Sequence, residues 1–200
     1  VIKSEKHGIP QARHRIIIIG IRKDLDRGHP GYLDLKDPVP VEDVIGDLPR
    51  LRGGLSKEND GGKEWLDAFK RMSDSLQINS DIMMSDVIKK IKSVIVKMRC
   101  PKKDRGGEFV VSSKRGPNYE NGWYFDESLG GVCNHTTRSH LTEDLYRYIY
   151  AAVYAQINKD KASPSPKLQD FPESLWPKHK NTQTAINEGL FNDRFRVQPK

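Results

Sequence analysis

A chain of 200 residues with 36% apolar and 30% charged side chains is long enough to bury a core, too polar for a bilayer protein and too apolar for a disordered one. The longest aliphatic run, Ile16-Ile17-Ile18-Ile19-Gly20-Ile21, is far too short to span a membrane, no signal-peptide pattern opens the chain, and the two cysteines form no Cys-x-x-Cys pair; reduced thiols, no membrane partner and a cytoplasmic location are the expectation. Lysine and arginine outnumber aspartate and glutamate by 34 to 27, a formal charge of +7 that favours a polyanionic partner such as nucleic acid.

From the amino end, Gly8 and Pro10 break structure before Arg15 leads into a β-branched run that is apolar on both faces. Such a run predicts a strand inside a sheet, whose partners this chain does not obviously supply. Residues 22–40 are charged and turn-rich, and a short helix is predicted from Val41 to Leu48, stopped by Pro49. Trp65, Leu66, Phe69, Met72 and Leu76 recur at helical spacing, as do Met84, Val87, Ile88, Ile91, Ile95 and Met98, so two amphipathic helices are predicted over 63–79 and 82–98.

Residues 100–131 lose that period and break into short strand-like pieces at 108–112 and 123–125, between glycine, proline and basic clusters. A third helix is predicted over 142–157, with Thr142 as N-cap and Glu143 and Asp144 in its first turn. Residues 158–190 carry Pro164, Pro166, Pro172 and Pro177 and should wrap the surface with little regular structure, while residues 191–200 alternate in part like an opening strand. The first residue is Val1 and the final pattern is incomplete, which suggests a piece of a longer protein.

The sharpest chemical signal is His7-Gly8-Ile9-Pro10-Gln11-Ala12-Arg13-His14-Arg15 followed by the aliphatic run and Gly20. Arginines at alternate positions entering a strand project from one face, a geometry suited to gripping a planar, electron-rich group. The segment resembles the Gly-x-Pro-Gln-x-Arg-x-Arg motif of DNA cytosine-5 methyltransferases, the eighth of their ten ordered motifs. Val41 to Pro49, with Val44-Ile45-Gly46-Asp47-Leu48-Pro49 and then Arg50-Leu51-Arg52-Gly53-Gly54, is similar to the Ile-Gly-Asp-Leu-Pro segment that follows it in that family. Asn134 to His140, Asp144 to Tyr148 and Phe191 to Val197 resemble, more loosely, the close of the variable region in one bacterial branch.

The resemblance implies that Arg15 contacts the ring oxygen of a flipped cytosine, with Arg13 and Gln11 in support. A guanidinium that is always charged suits stabilising negative charge on a pyrimidine under nucleophilic attack. It implies an α+β fold: one strand of an α/β catalytic sheet within 1–53, a mixed helical and small-sheet target-recognition domain over 54–190, and a return toward the catalytic domain at 191–200. It also implies double-stranded DNA as partner, S-adenosylmethionine as methyl donor of the intact enzyme, and a place in restriction-modification or orphan methylation.

The departures are equally definite. Cys100 precedes Pro101 and Cys133 follows Val132, so neither forms the family's Pro-Cys nucleophile; there is no Phe-x-Gly-x-Gly turn for the cofactor and no Glu-Asn-Val acid. The expectation is that this chain alone is inactive, binds no cofactor and depends on a missing N-terminal catalytic domain.

Within the variable region, Lys102, Lys103, Arg105 and Lys114, Arg115, Asn118 sit in two basic glycine-containing loops, read here as DNA-binding. Solvated hairpin tips are the plainer alternative. Cys133, His135 and His140 lack a fourth ligand and make a poor zinc site. Tyr146, Tyr150 and Tyr154 form an i, i+4 stripe better suited to core packing than to base stacking. Lys89, Lys90, Lys92 and Lys97 fit the wet face of their helix. Two rival readings stay open at this point: a stand-alone basic DNA-binding module without a catalytic parent, and a non-enzymatic interaction domain whose charge is incidental.

Overall fold

The computed structural model describes residues 1–25, 28–29, 31–76, 82–113, 116–162, 164–178 and 182–188. Its elements are mixed helix and strand with three small two-stranded sheets, which is an α+β composition. The chain divides into two compact units, Val1–Pro49 with Phe109–Cys133, and Arg50–Glu108 with Asn134–Lys200. Strand β4 (Gly106–Val111) pairs with β5 (Gly131–Thr136), and the division passes through both strands.

In the first unit β1 (Ile2–Lys3) pairs antiparallel with β2 (His14–Arg15), placing Ile2 opposite Arg15 and Lys3 opposite His14. A 3-10 turn, Ser4–His7, fills the space between them and ends at Gly8 in the left-handed conformation, φ 76°. The ladder stops at Arg15. The predicted strand over the aliphatic run is therefore not formed here: Ile16, Ile17, Ile18 and Ile19 are 60–90% exposed. A strand that is apolar on both faces needs neighbours on both edges and both faces, and none covers these four side chains.

Helix α1 (Glu42–Ile45) carries Glu42 and Asp43 in its first turn, where carboxylates favour the helix dipole, and buries Val44. The Trp-Tyr-Phe run predicted as strand instead enters a single helical turn, α4 (Asn121–Tyr124), which leaves Trp123 81% exposed.

The second unit is built on three helices, α2 (Gly62–Ser75), α3 (Ile82–Lys97) and α5 (Thr142–Ile157). Their apolar faces meet in one core: Ala68, Phe69 and Met72 from α2, Val87, Ile88, Ile91 and Ile95 from α3, and Leu145, Tyr150, Ala151 and Tyr154 from α5. The tyrosine stripe packs inward, as its spacing suggested. Tyr150 is fully buried and its hydroxyl donates to the Asp170 carbonyl at 2.7 Å; Tyr146 donates to the Ala68 carbonyl at 2.6 Å. Lys89, Lys90 and Lys97 lie on the exposed side of α3.

Thr142 is the first residue of α5 rather than its cap, a position held by Leu141, and the Thr142 hydroxyl bonds the Glu58 carboxylate instead. Among its described residues the proline-rich segment forms two 3-10 turns, Leu168–Asp170 and Glu173–Leu175, and a short helix, α6 (Thr182–Glu188). It is nonetheless anchored: Leu168, Phe171 and Leu175 are buried, the rings of Phe171 and Tyr150 lie 4.9 Å apart, and Arg147 Nε donates to the Leu175 carbonyl at 2.9 Å. Strand β3 (Gly54–Leu55) pairs parallel with β6 (Ser139–His140), matching Gly54 to Ser139. Among the described residues no helix is long and apolar enough to cross a membrane.

Candidate nucleic-acid interface

The Gly8-x-Pro10-Gln11 segment is a tight loop held on three sides. Backbone N–H groups of Gln11 and Arg13 donate two residues back, to Ile9 and Gln11 carbonyls at 2.7 and 2.8 Å. The Ser4 hydroxyl donates to the Arg13 carbonyl. His7 Nδ1 lies 2.8 Å from the Asp34 carbonyl, and the Lys36 N–H donates to the Lys6 carbonyl at 2.8 Å. Glycine is required at position 8 twice over: its φ is left-handed, and a Cβ there would lie 2.9 Å from Lys36 Cδ and 3.0 Å from Tyr119 Oη.

Gln11, Arg13 and Arg15 are all exposed. Arg15 Nη1 donates to the neighbouring His14 carbonyl at 2.7 Å, His14 Nε2 lies 3.1 Å from Glu5 Oε1, and the Arg13 side chain has no ion-pair partner among the described residues. Both guanidinium groups thus remain available to a ligand, on a backbone whose entry is fixed.

One of the two basic loops reaches this segment across 111 residues of sequence: the Tyr119 hydroxyl donates to the Gly8 carbonyl at 2.9 Å. The N–H groups of Asn118 and Tyr119 both donate to the Asp43 carbonyl, at 3.1 and 3.3 Å, which leaves the Asn118 side chain exposed on a fixed backbone. Gly116 is left-handed, φ 83°, and a Cβ there would meet Phe125 at 2.5 Å. Lys114 and Arg115, the cations assigned to this loop, lie outside the described residues, as does the strand predicted over 191–200.

A feature the sequence did not announce lies in the same unit. Val44, Asp47, Leu48, Tyr124, Phe125 and Cys133 are among the residues around a cavity of about 140 Å³, and Asp47 Oδ1 is buried without a hydrogen-bond partner. Asp47 is the acid of the Ile-Gly-Asp-Leu-Pro segment; a lone carboxylate gives no periodic signal, so only the fold could reveal its position.

The other basic loop belongs to the second unit and is organised around a buried arginine. Arg52 is 2% exposed, pairs with Asp60 at 2.6 Å and with Asp104, and donates to the Gly53 carbonyl. Burial opposes its charge, but the hydrogen bonds it donates to Asp60 and Asp104 outweigh that and raise its pKa above the ordinary arginine value. Arg105 is drawn into the same knot, donating to Asp60 Oδ2 at 3.0 Å and to the Thr137 carbonyl at 2.9 Å. Lys102 and Lys103 remain exposed on the adjoining turn. His140 lies edge-on to Tyr148 at 5.3 Å, and no group of three metal-binding side chains occurs among the described residues.

The hydrogen bond from Arg52 holds the Asp60 carboxyl below the usual carboxylate range, against burial and with help from the Leu55 N–H and the charges of Arg52 and Arg105. A depressed folded-state pKa stabilises the fold above the unfolded value, about 4, and that contribution is lost as pH falls through the folded value. Thermal melts should therefore fall below pH of about 4, and the acid slope should flatten in Asp60→Asn, whose melting point at neutral pH is already reduced.

With this geometry in place, comparison with known proteins defines the class. Residues 1–170 match the family model of C-5 cytosine-specific DNA methylases, so the chain belongs to that family. A curated relative, the Type II methyltransferase M.MthTI of Methanothermobacter thermautotrophicus, is 35% identical over 63 residues, which is 32% of this chain and 19% of the relative. The matched stretch is thus about a fifth of that relative's length. No solved structure matches the chain.

Proposed function

We propose that the chain is the DNA-recognition portion of a cytosine-5 DNA methyltransferase, together with the arginine segment that holds the target base. The observation that carries the reading is the bond from Tyr119 to Gly8: it fastens a loop suited to reading bases to the loop that presents Gln11, Arg13 and Arg15. In this reading Arg15 holds the everted cytosine, Arg13 and Gln11 support it, and Lys114, Arg115 and Asn118 of one sequence segment meet the duplex. The family match over residues 1–170 argues against a stand-alone DNA-binding module.

The 200 residues contain neither a Pro-Cys dipeptide nor a Phe-x-Gly-x-Gly turn. We therefore assign the nucleophile and the S-adenosylmethionine site to other residues of the enzyme, and predict no methyl transfer by this chain alone. Residues 1–53 then belong with the catalytic sheet, 54–190 with target recognition and 191–200 with the return. The exposed isoleucines after Arg15 support the first assignment, since a bare aliphatic run is an edge awaiting a sheet. A cytoplasmic restriction-modification or orphan methylase fits this set.

The test is methyl transfer by the intact enzyme into duplex DNA, with the product base identified. Label at carbon 5 of cytosine is expected; label on an exocyclic amine, or none, rejects the reading. Tyr119→Phe removes one neutral hydrogen bond, worth about 0.5–1.5 kcal/mol, and should slow transfer by about 2- to 10-fold with little change in duplex affinity.

A further inference from the structure

We infer that the Arg52 knot is a rigid seat for the phosphodiester backbone of a duplex, gripped by Lys102, Lys103 and Arg138, and that it supplies affinity without reading sequence. This deepens the proposed function and rests on DNA being the partner.

Three observations converge. First, Lys102, Lys103 and Arg138 are exposed and have no ion-pair partner among the described residues, whereas the nearby carboxylates, Asp60 and Asp104, are already committed to Arg52 and Arg105. The outward charge is therefore uncompensated. Second, the backbone beneath is fixed from several sides. The Arg138 carbonyl accepts from Gly54 N–H at 3.0 Å, Thr137 N–H donates to the Arg105 carbonyl at 3.0 Å, and the Thr137 hydroxyl donates to the Arg52 carbonyl at 2.7 Å. The Lys103 carbonyl accepts from Gly106 N–H at 3.0 Å, and Arg52 N–H donates to the Asp104 carbonyl at 2.9 Å. A pre-ordered scaffold lowers the entropy cost of binding.

Third, Gly106 lets its strand approach the facing backbone and Gly54 makes room for the Arg105 side chain: a Cβ at Gly106 would lie 2.0 Å from the His135 carbonyl oxygen, and one at Gly54 would lie 2.6 Å from the Arg105 guanidinium carbon. Lysine ammonium groups are point charges with rotatable donors, which suits phosphate rather than a base edge. Arg105, whose guanidinium is spent on Asp60 and Thr137, becomes a positioning residue and not a base reader.

The experiment is equilibrium binding of the protein to a panel of duplexes of different sequence, repeated from about 50 to 300 mM salt, where each phosphate contact adds about 0.9 to the slope of log affinity against log salt. The variant K102Q/K103Q/R138Q should lose about 3 from that slope, weaken uniformly across the panel, and melt like the wild type. Arg138→Lys should keep the wild-type slope because the charge is retained, while Arg138→Gln alone should lose about 1; this pair decides the matter should the triple variant melt early. A slope unchanged in the variants, or a loss of sequence preference with the slope intact, overturns the inference and leaves the DNA reading standing. Failure of the wild type to bind any duplex at low salt overturns the DNA reading itself.

Discussion

If Arg15 holds the target base as proposed, Arg15→Ala in the intact enzyme is expected to lower the rate of methyl transfer by about 100- to 1,000-fold, the cost of removing one preorganised donor from a developing negative charge. Duplex affinity should change by less than about tenfold, because one guanidinium among many cations contributes little to the phosphate term. The asymmetry follows from where Arg15 sits. It is the last residue of the β1–β2 ladder, opposite Ile2, and among the described residues its side chain bonds the adjacent His14 carbonyl alone. No described residue beyond the adjacent His14 is held by that guanidinium, so its removal should leave the melting temperature unchanged, which separates a chemical loss from a structural one. Arg15→Lys keeps the charge and loses the planar fork, and should fall between wild type and alanine. Single-turnover transfer and equilibrium binding measured on the same preparations decide it: equal losses in rate and affinity would assign Arg15 to the DNA backbone.

The helices were the most legible part of the sequence because a 3.6-residue period needs only one chain to declare itself. The helix predicted over 142–157 is Thr142–Ile157 in the structure, and those predicted over 63–79 and 82–98 appear as Gly62–Ser75 and Ile82–Lys97. Strands declare themselves less well, since an aliphatic run becomes a strand only when edges pair with it. Residues 16–19 have the composition of a buried strand and stand exposed, and the aromatic triplet at 123–125, too short to show any period, enters a helical turn.

The site divides in the same way. Gln11, Arg13 and Arg15 could be named because the motif is local and linear. The Tyr119–Gly8 bond joins residues too far apart for any pattern to link. The basic cluster marks Arg105 as a cation, and only the fold shows that it donates to Asp60; composition shows the charge of a side chain and not its direction.

Arg52 is the strongest instance, and it carries the largest expected effect on stability. Read along the sequence it is one cation in Arg50-Leu51-Arg52-Gly53-Gly54, with nothing to distinguish it from Arg50. In the fold it is 2% exposed and ties together three stretches: its own backbone to Asp104 and Thr137, its guanidinium to Asp60, Asp104 and Gly53. Replacing it by leucine or methionine fills the space but leaves Asp60 facing Arg105 alone and returns the Asp104 carboxylate, 58% exposed, to solvent without its ion-pair partner. Because Asp104 is largely exposed and Asp60 keeps Arg105, the loss is of the charged hydrogen bonds rather than of a fully buried pair, about 1–3 kcal/mol, which for a chain of this length is a drop of on the order of 5 °C in melting temperature. The double variant Arg52→Leu/Asp104→Asn removes the carboxylate left without an ion-pair partner as well and should recover part of that loss. Recovery in the double variant would show that the penalty in Arg52→Leu is an unpaired carboxylate. Equal melting points for single and double variants would mean that Arg52 acts by filling space, and the Arg52 knot would then lose its claim to rigidity.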